Sequence, residues 1–177
     1  MPYLLDHAAR LCLLAAFLWL SGHAIRRSGL SRWDPGPLRP LADFCLGAVA
    51  WMVALFGLAC VGLLASWNVI LLGGCATLLA FRVRRRSGVE PPALGAEDAV
   101  ITLTVMVVTS PLLLLALSPE VRWDAGTYHL LLPRRYLDAG GFVPVPMNVY
   151  SNWPLGTELL FTAAMQLGDH SVAKAVH

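Results

Sequence analysis

The chain has 177 residues, of which 57% are hydrophobic and only 14% are charged. A typical soluble domain carries about 25% charged residues, and the mean hydropathy here is +0.64. This composition excludes a disordered, collagen-like or disulfide-rich chain and argues against an ordinary soluble domain. Thirteen Lys and Arg residues against eleven Asp and Glu residues give a net charge of +2. Such a balance does not predict a nucleic-acid partner.

The first apolar run, Leu11–Ile25, lies between Arg10 and Arg26. With Asp6 and Arg10 near an interface, the sequence over about Leu4–Ala24 predicts a membrane-spanning helix. A cleaved signal peptide is the alternative interpretation. It is disfavoured because the positive charge mostly follows the apolar residues and because no A-x-A cleavage site is present.

A longer uncharged stretch, Phe44–Phe81, covers 38 residues. That length suits two membrane crossings of roughly 20 residues each and is too long for one. The residues Ser66–Asn68 mark the break, because tryptophan favours the membrane–water interface. We therefore predict a helical hairpin of about Leu41–Ala65 and about Val69–Val83. The following residues, Arg84–Ala96, contain Arg, Ser, Gly and two Pro, and they are interpreted as a cytoplasmic linker.

The clearest single span is Ala99–Pro119, where 21 uncharged residues lie between Asp98 and Glu120. This length suits one helical crossing of the membrane. Pro111 is expected to kink the helix, which membrane helices tolerate better than soluble ones.

The last apolar stretch, Leu159–Gly168, has ten uncharged residues and is too short to cross a membrane alone. Extending it back over Asn148–Thr157 brings Glu158 inside the segment. Three interpretations stay open: a re-entrant helix, an interfacial helix, or the start of another crossing. Pro154 would suit the first turn of such a helix.

Arginine residues concentrate in two short connections, where the positive-inside rule is strongest. These first and third connections contain Arg26, Arg27, Arg32, Arg39, Arg82, Arg84, Arg85 and Arg86. Both connections are therefore predicted to be cytoplasmic, whereas the N-terminus and everything after Pro119 face outward. Three arginines of the outer segment oppose this assignment: Arg122, Arg134 and Arg135.

The four cysteines lie within the apolar spans, at positions Cys12, Cys45, Cys60 and Cys75, and none forms a C-x-x-C pair. Zinc sites need clustered thiolates or imidazoles. We therefore interpret the cysteines as small packing residues and predict neither a zinc site nor a disulfide.

The segment Ser118–Trp153 holds most of the side chains that can perform chemistry. If a helix begins near its acidic residue, one face carries Asp124, Tyr128, Leu131, Leu132 and Arg135. Pro133 is expected to bend or restart this helix, and Gly140 to end it. The expected product is a short amphipathic helix on the outer membrane interface, with its apolar residues in lipid.

Each candidate residue also has a purely structural interpretation. Asp124 is either a general base toward a hydroxyl or a helix N-cap. Arg134 and Arg135 either pair with a substrate phosphate or anchor the chain to lipid phosphates. His129, beside Tyr128, belongs either to a site or to an interfacial pair.

The remaining polar residues follow the same logic. Glu158, near a helix start, either belongs to the site or complements the helix dipole. Three residues are interpreted as span ends, namely Asp6, His7 and His23, and two as a turn, namely Asp169 and His170. The aromatic residues Tyr136, Tyr150 and Trp153 are typical of a membrane-interface belt.

Three stretches together resemble a known family. They read W-D-A-G-T-Y-H-L-L-L-P-R-R-Y-L-D-A-G-G-F from Trp123, N-V-Y-S-N-W-P-L-G-T-E-L-L-F from Asn148 and L-G-D-H-S-V-A-K-A-V-H from Leu167. The segment 98–177 resembles bacterial membrane glycosyltransferases of the GT-C superfamily. It is most similar to glycosyltransferase family 39, the dolichyl-phosphate-mannose–protein mannosyltransferase type.

The resemblance implies a polytopic all-α protein of the bacterial inner membrane whose active site faces outward. It implies a polyprenyl-phosphate sugar donor, an acceptor hydroxyl and inversion at the anomeric carbon. Asp124 matches the acidic residue of the family's first outer loop and is implied to be catalytic. The candidate substrate-binding residues are Tyr128, His129, Arg134, Arg135, Asn148, Asn152 and Glu158, with the two arginines placed by us near the donor phosphate. No cofactor is certain, and a divalent metal is left open.

We therefore expect a four-span region over residues 1–118, an outer loop with an amphipathic helix over 119–155, and the start of a further membrane helix over 156–177. Relatives commonly have one span before the acidic loop and run to several hundred residues, so the resemblance implies the N-terminal part of a longer transferase. The alternative function is a non-catalytic integral membrane protein whose outer loop binds lipid or a partner.

Overall fold

The computed structural model describes residues 2–30, 36–65, 67–87, 122–152 and 156–176, together with eight positions between 100 and 116. Every regular element in these ranges is helical, and they contain no strand. The all-α prediction is therefore confirmed for the part of the chain that the structure describes.

Six α-helices organise the described residues. They are α1 (Pro2–Ile25), α2 (Arg39–Cys60), α3 (Trp67–Ser87), α4 (Leu131–Ala139), α5 (Gly156–Leu167) and α6 (His170–Val176). Short π-helical turns follow α1 at Arg26–Leu30 and precede α4 at Ala125–His129. Short 3₁₀ turns lie at Gly36–Leu38 and Val149–Asn152.

Two of the described helical stretches, Leu5–Ser28 and Arg39–Cys60, are long and apolar enough to cross a membrane. Only 28% and 22% of their apolar windows are buried inside the protein. A core helix of a soluble protein or a signal sequence meets the same criteria of length and composition, but a core helix is mostly buried. The apolar part of α3, Trp67–Val83, is shorter.

The predicted break between two helices is present, but α3 packs against α1 rather than against α2, so the two helices do not form the predicted hairpin. The helix boundaries also differ from the prediction. α2 ends at Cys60 rather than near Ala65, because Gly62 takes a left-handed backbone conformation with φ of 72°. The Asn68 side chain stabilises the start of α3, because it accepts a hydrogen bond from the Ala65 N–H. α3 then continues to Ser87, so the first residues of the predicted linker are helical instead.

The predicted span Ala99–Pro119 lies mostly outside the described residues. The eight described positions are helical, and they are 100, 103, 104, 107, 108, 111, 115 and 116. Ala116 is buried and the other seven are exposed. Most of the predicted linker, residues 88–96, also lies outside the described part.

The helices α1 and α2 cross with their backbones in direct contact. A Cβ atom added at Gly47 would lie 1.7 Å from the Leu18 carbonyl oxygen, and one at Gly22 would lie 1.7 Å from the Asp43 carbonyl oxygen. No side chain fits at either position, so these two glycines set the distance between the helices. Small residues serve the same purpose where membrane helices pack closely.

A buried polar cluster joins the C-terminal end of α1 to the first turns of α2. Asp43 is 1% exposed, and Arg26 donates to its two carboxylate oxygens at 2.5 Å and 2.9 Å. The His23 Nδ1 lies 3.0 Å from Asp43 Oδ2. The bidentate geometry offsets the cost of burying the carboxylate.

The C-terminal helices cover the opposite end of the α1–α2 pair. The backbone N–H groups of Leu64 and Phe142 donate to Gly140 and Ala59, at 2.7 Å and 3.1 Å. These bonds attach the end of α4 to the end of α2. The core extends from this contact and contains Leu14, Leu18, Trp51, Leu55, Leu132, Tyr136, Leu159, Leu160, Phe161 and Val172.

The N-terminal half of α1 is attached to α6 by side-chain contacts. His7 Nε2 lies 3.1 Å from Asp169 Oδ2, and the Tyr3 and Ser171 hydroxyls lie 3.1 Å apart. Burial alone would raise the pKa of the Asp169 carboxyl, but hydrogen bonds from His7 and the Ser171 N–H hold it below its ordinary value. Asp169, in the turn before α6, therefore stays ionised.

The region predicted as the start of a further membrane helix contains two short helices instead of one long one. α5 has 12 residues, which corresponds to about 18 Å. It packs against α1, α2 and α4, and its residues from Glu158 to Ala164 are buried. A two-residue turn, Gly168 and Asp169, separates α5 from α6.

The close contact of α1 with α2 leads to a stability prediction, for which Gly57 on the same helix provides the control. We expect Gly47→Ala to lower the unfolding free energy by about 1–3 kcal/mol, because the new methyl group forces the helices apart. Gly57→Ala on the same helix meets no atom within 4 Å and should leave stability unchanged or slightly raised. Thermal unfolding of the two variants measures this, and equal melting temperatures would contradict the glycine contact.

Candidate functional site

Several residues selected from the sequence meet where α5 packs against the π turn Ala125–His129. His129 Nδ1 lies 2.9 Å from Glu158 Oε1, although the two residues are 29 positions apart. Glu158 is buried, and His129 is only partly exposed. The His129 ring also makes an edge contact with Phe161, at a centroid distance of 6.1 Å. Both residues are among the candidate substrate-binding residues, but the sequence did not predict their contact with each other.

Aromatic rings form one wall of this site. The rings of Tyr128 and Tyr150 stack at 4.5 Å, and the Tyr150 ring lies edge-on to Trp123 at 6.2 Å. Tyr128 also contacts the neighbouring His129 ring at 3.9 Å. The π turn allows this arrangement because its wider spiral turns two consecutive side chains toward α5 and the 148–152 segment.

Asp124 opens the π turn. Its Oδ1 accepts a hydrogen bond of 2.9 Å from the Ala125 N–H, so the capping interpretation describes a real contact. The side chain is half-buried rather than enclosed. A carboxylate with one oxygen tied to the backbone is held in a defined orientation, which a reacting group also requires.

The charged groups of the site affect the pKa of the Tyr128 hydroxyl. Loss of hydration, followed by the charges of Asp124 and Glu158, raises the pKa of its hydroxyl above the ordinary value of 10. Tyr136, buried below the site, also has a raised pKa because of burial and Glu158. Both hydroxyls therefore stay neutral at pH 7 and keep their protons for donation.

Asn148 has a structural role in the described site. Its side-chain Nδ2 donates to the Thr127 carbonyl oxygen at 2.7 Å, and its Oδ1 accepts from the Tyr150 N–H at 3.1 Å. The side chain thus clamps the 142–150 loop onto the π turn. Asn152 ends the following 3₁₀ turn, and its side chain lies outside the described part.

The two predicted phosphate-binding arginines lie on the exposed side of α4. Arg134 and Arg135 are exposed, and Arg134 pairs with Asp138 one turn later at 3.0 Å. Glu158, by contrast, is buried.

The predicted amphipathic helix is wrong in two respects. A π turn replaces the first α-helical turn, and within α4 Leu132 is buried whereas Arg135 is exposed, so these two residues do not share one face. The apolar face of α4, which includes Tyr136, packs inside the protein and is not available to lipid. The helix does end at Gly140 as predicted, since its φ is 73°.

Two further ionic contacts were not predicted. His23 and His7 were interpreted as span-end residues, yet they pair with Asp43 and Asp169. The second pair joins residues 162 positions apart, so no local pattern could identify it.

Among the described residues, no three His, Cys, Asp or Glu side chains are grouped closely enough to hold a metal ion. We therefore assign no metal ligands within the described part of the chain.

Comparisons of the chain with protein-family models, with curated proteins and with solved structures found no match. The family resemblance therefore depends on the residues quoted above alone. The geometry of the site is independent of that resemblance.

The buried Glu158 provides a test of the site's architecture. Glu158→Ala removes the partner of His129 and should cost about 1–3 kcal/mol of stability, because the half-buried imidazole loses its hydrogen-bond partner. Asp138→Ala removes an exposed partner of Arg134 and should cost less than about 1 kcal/mol. Thermal unfolding compares the two variants, and equal losses would show that the His129–Glu158 contact contributes little.

Proposed function

We propose that this chain forms part of a polytopic membrane glycosyltransferase that acts on the extracytoplasmic face. The proposed reaction transfers a sugar from a polyprenyl-phosphate donor to an acceptor hydroxyl. The observation that carries the proposal is the clustering of chemistry-bearing side chains around Tyr128. Glu158 holds His129 at 2.9 Å, the His129 ring lies 3.9 Å from the Tyr128 ring, and Asp124 lies at the start of the same turn.

The surface of the helices supports a membrane location. Large apolar side chains point away from the protein on α2 and α3, and they include Val49, Val53, Phe56, Ile70, Leu71, Leu78 and Leu79. Monomeric soluble proteins rarely expose contiguous apolar surface of this extent. Lipid would solvate these side chains without cost, since its tails are as apolar as they are.

The arrangement of the chain also supports the proposed orientation. The cluster of Arg26 and Asp43 lies at one end of the α1–α2 pair, next to the arginine-rich first connection. The site lies toward the other end, where Gly140 bonds to Leu64. If the arginine-rich connection is cytoplasmic, as the positive-inside rule predicts, the site faces outward.

The proposed reaction assigns a role to each group. The Asp124 carboxylate takes the proton of the acceptor hydroxyl, whose oxygen then bonds to the anomeric carbon. The bond from that carbon to the phosphate oxygen breaks, and its electron pair leaves with the polyprenyl phosphate. The neutral Tyr128 hydroxyl donates a hydrogen bond to the substrate, and Glu158 positions His129 in the wall of the site.

A non-catalytic membrane protein with a lipid-binding outer loop is the second candidate function. The exposure of Arg134 and Arg135 favours it, because guanidinium groups at an interface pair with lipid phosphates. In this case Asp124 only caps the π turn.

The two candidate functions predict different effects of Asp124→Asn, which replaces one carboxylate oxygen with an amide nitrogen. We expect Asp124→Asn in the full-length protein to lower sugar transfer by about 10²–10⁴-fold, since the amide cannot accept the acceptor's proton. Asp138→Asn, on the exposed face of α4, is the matched control and should transfer normally. The assay follows radiolabelled sugar from a polyprenyl-phosphate donor into acceptors in membranes that contain each variant. Normal transfer by Asp124→Asn would remove Asp124 from the mechanism, whereas an absence of transfer by the unaltered protein would favour the non-catalytic candidate.

The orientation is tested by labelling single cysteines in a variant without the native four. We expect an impermeant thiol reagent applied outside intact spheroplasts to label Ala139→Cys, because that position is exposed on the outer segment. Ser87→Cys, at the end of α3, should react only after the membrane is permeabilised. The reverse pattern would overturn the orientation.

A further inference from the structure

Apolar side chains point away from the protein on the loop after α4 and at Trp123, which precedes the π turn. Met147 is fully exposed, and Trp123 and Val149 are 70% and 67% exposed. These residues form one surface, since Asn148 between them bonds to the π turn and Trp123 contacts the Tyr150 ring. We call Trp123, Met147 and Val149 the apolar tip. The π turn and α5 do not cover it.

Several polar groups of the loop are bonded within the loop or to the π turn. Asn148 N–H donates to Val145 O at 3.2 Å, and its side chain bonds to the Thr127 carbonyl and the Tyr150 N–H. Ser151 donates twice to the Asn148 carbonyl, from its N–H at 3.1 Å and its hydroxyl at 2.7 Å. The two prolines of the loop, at positions 144 and 146, have no N–H. These features reduce the number of backbone groups that need water at the tip.

The position and charge of the loop indicate what covers the apolar tip. Residues 139–157 contain no charged side chain. Backbone bonds from Phe142 to Ala59 attach the loop to the end of α2, and the Phe142 ring contacts Phe56 at 5.3 Å. The loop thus leaves the protein at the end of a candidate span, where lipid headgroups begin. Trp123 lies beside it, and tryptophan favours that interface.

We propose that the apolar tip inserts into the outer leaflet of the lipid bilayer. The loop, rather than the apolar face of α4, then anchors the outer segment, because that face of α4 is packed inside the protein. The proposal rests on the membrane location of α1–α3 and does not depend on sugar transfer. Insertion holds the π turn and Asp124 near the height at which a lipid-linked substrate presents its headgroup.

Spin labels on single cysteines test this insertion in the full chain. The four native cysteines are replaced, and nitroxides are placed at Met147→Cys or Val149→Cys in vesicles of phosphatidylethanolamine and phosphatidylglycerol. Ala139→Cys reports an exposed position on α4, and Val53→Cys reports the apolar surface of α2. Oxygen partitions into lipid, whereas a nickel chelate stays in water. We expect the labels at 147 and 149 to favour oxygen, as Val53→Cys does, and Ala139→Cys to favour nickel.

Each other pattern overturns the proposal in a distinguishable way. If the labels at 147 and 149 favour nickel while position 53 favours oxygen, the tip lies in water although α2 is in the membrane. If both reagents are excluded from 147 and 149, a protein surface covers the tip instead of lipid. If position 53 also favours nickel, the membrane location itself fails, and with it the proposed function.

Discussion

The contact of α1 with α2 through Gly22 and Gly47 is the constraint on which the other described contacts depend. Because no Cβ atom fits at either glycine, the two helices lie close enough for Asp43 to reach Arg26. The same crossing places Trp51 beside Ser21, where its indole N–H donates to the Ser21 hydroxyl at 2.8 Å. The close approach of two apolar helices thus creates partners for polar groups that would otherwise be costly to bury.

Buried or half-buried carboxylates then connect the elements of the fold. Asp43 joins α2 to α1, Asp169 joins the turn before α6 to α1, and Glu158 joins α5 to the π turn. Each carboxylate faces an imidazole, and Asp43 faces a guanidinium as well. Such pairs contribute little net stability when complete and are expensive to break. Their value here is to select one arrangement of helices whose apolar faces alone would pack in several ways.

The π turn links this architecture to chemistry. It turns Tyr128 and His129 toward α5 and Tyr150 while Asp124 remains at the start of the turn. A regular α-helix would have divided these residues differently between its faces. The widened turn is therefore the local feature on which both the proposed site and the exposed apolar tip depend.

The sequence by itself determined the helical class, the break between α2 and α3 and the end of α4 at Gly140. It also determined the set of residues worth examining. These features follow from composition, charge and glycine, which act locally. Tertiary structure alone decided which of them meet. His129 with Glu158 and His7 with Asp169 are separated by 29 and 162 positions, and no periodicity carries that information. The burial of the apolar face of α4 was likewise decided by packing, since an amphipathic pattern predicts an apolar surface without saying whether protein or lipid covers it.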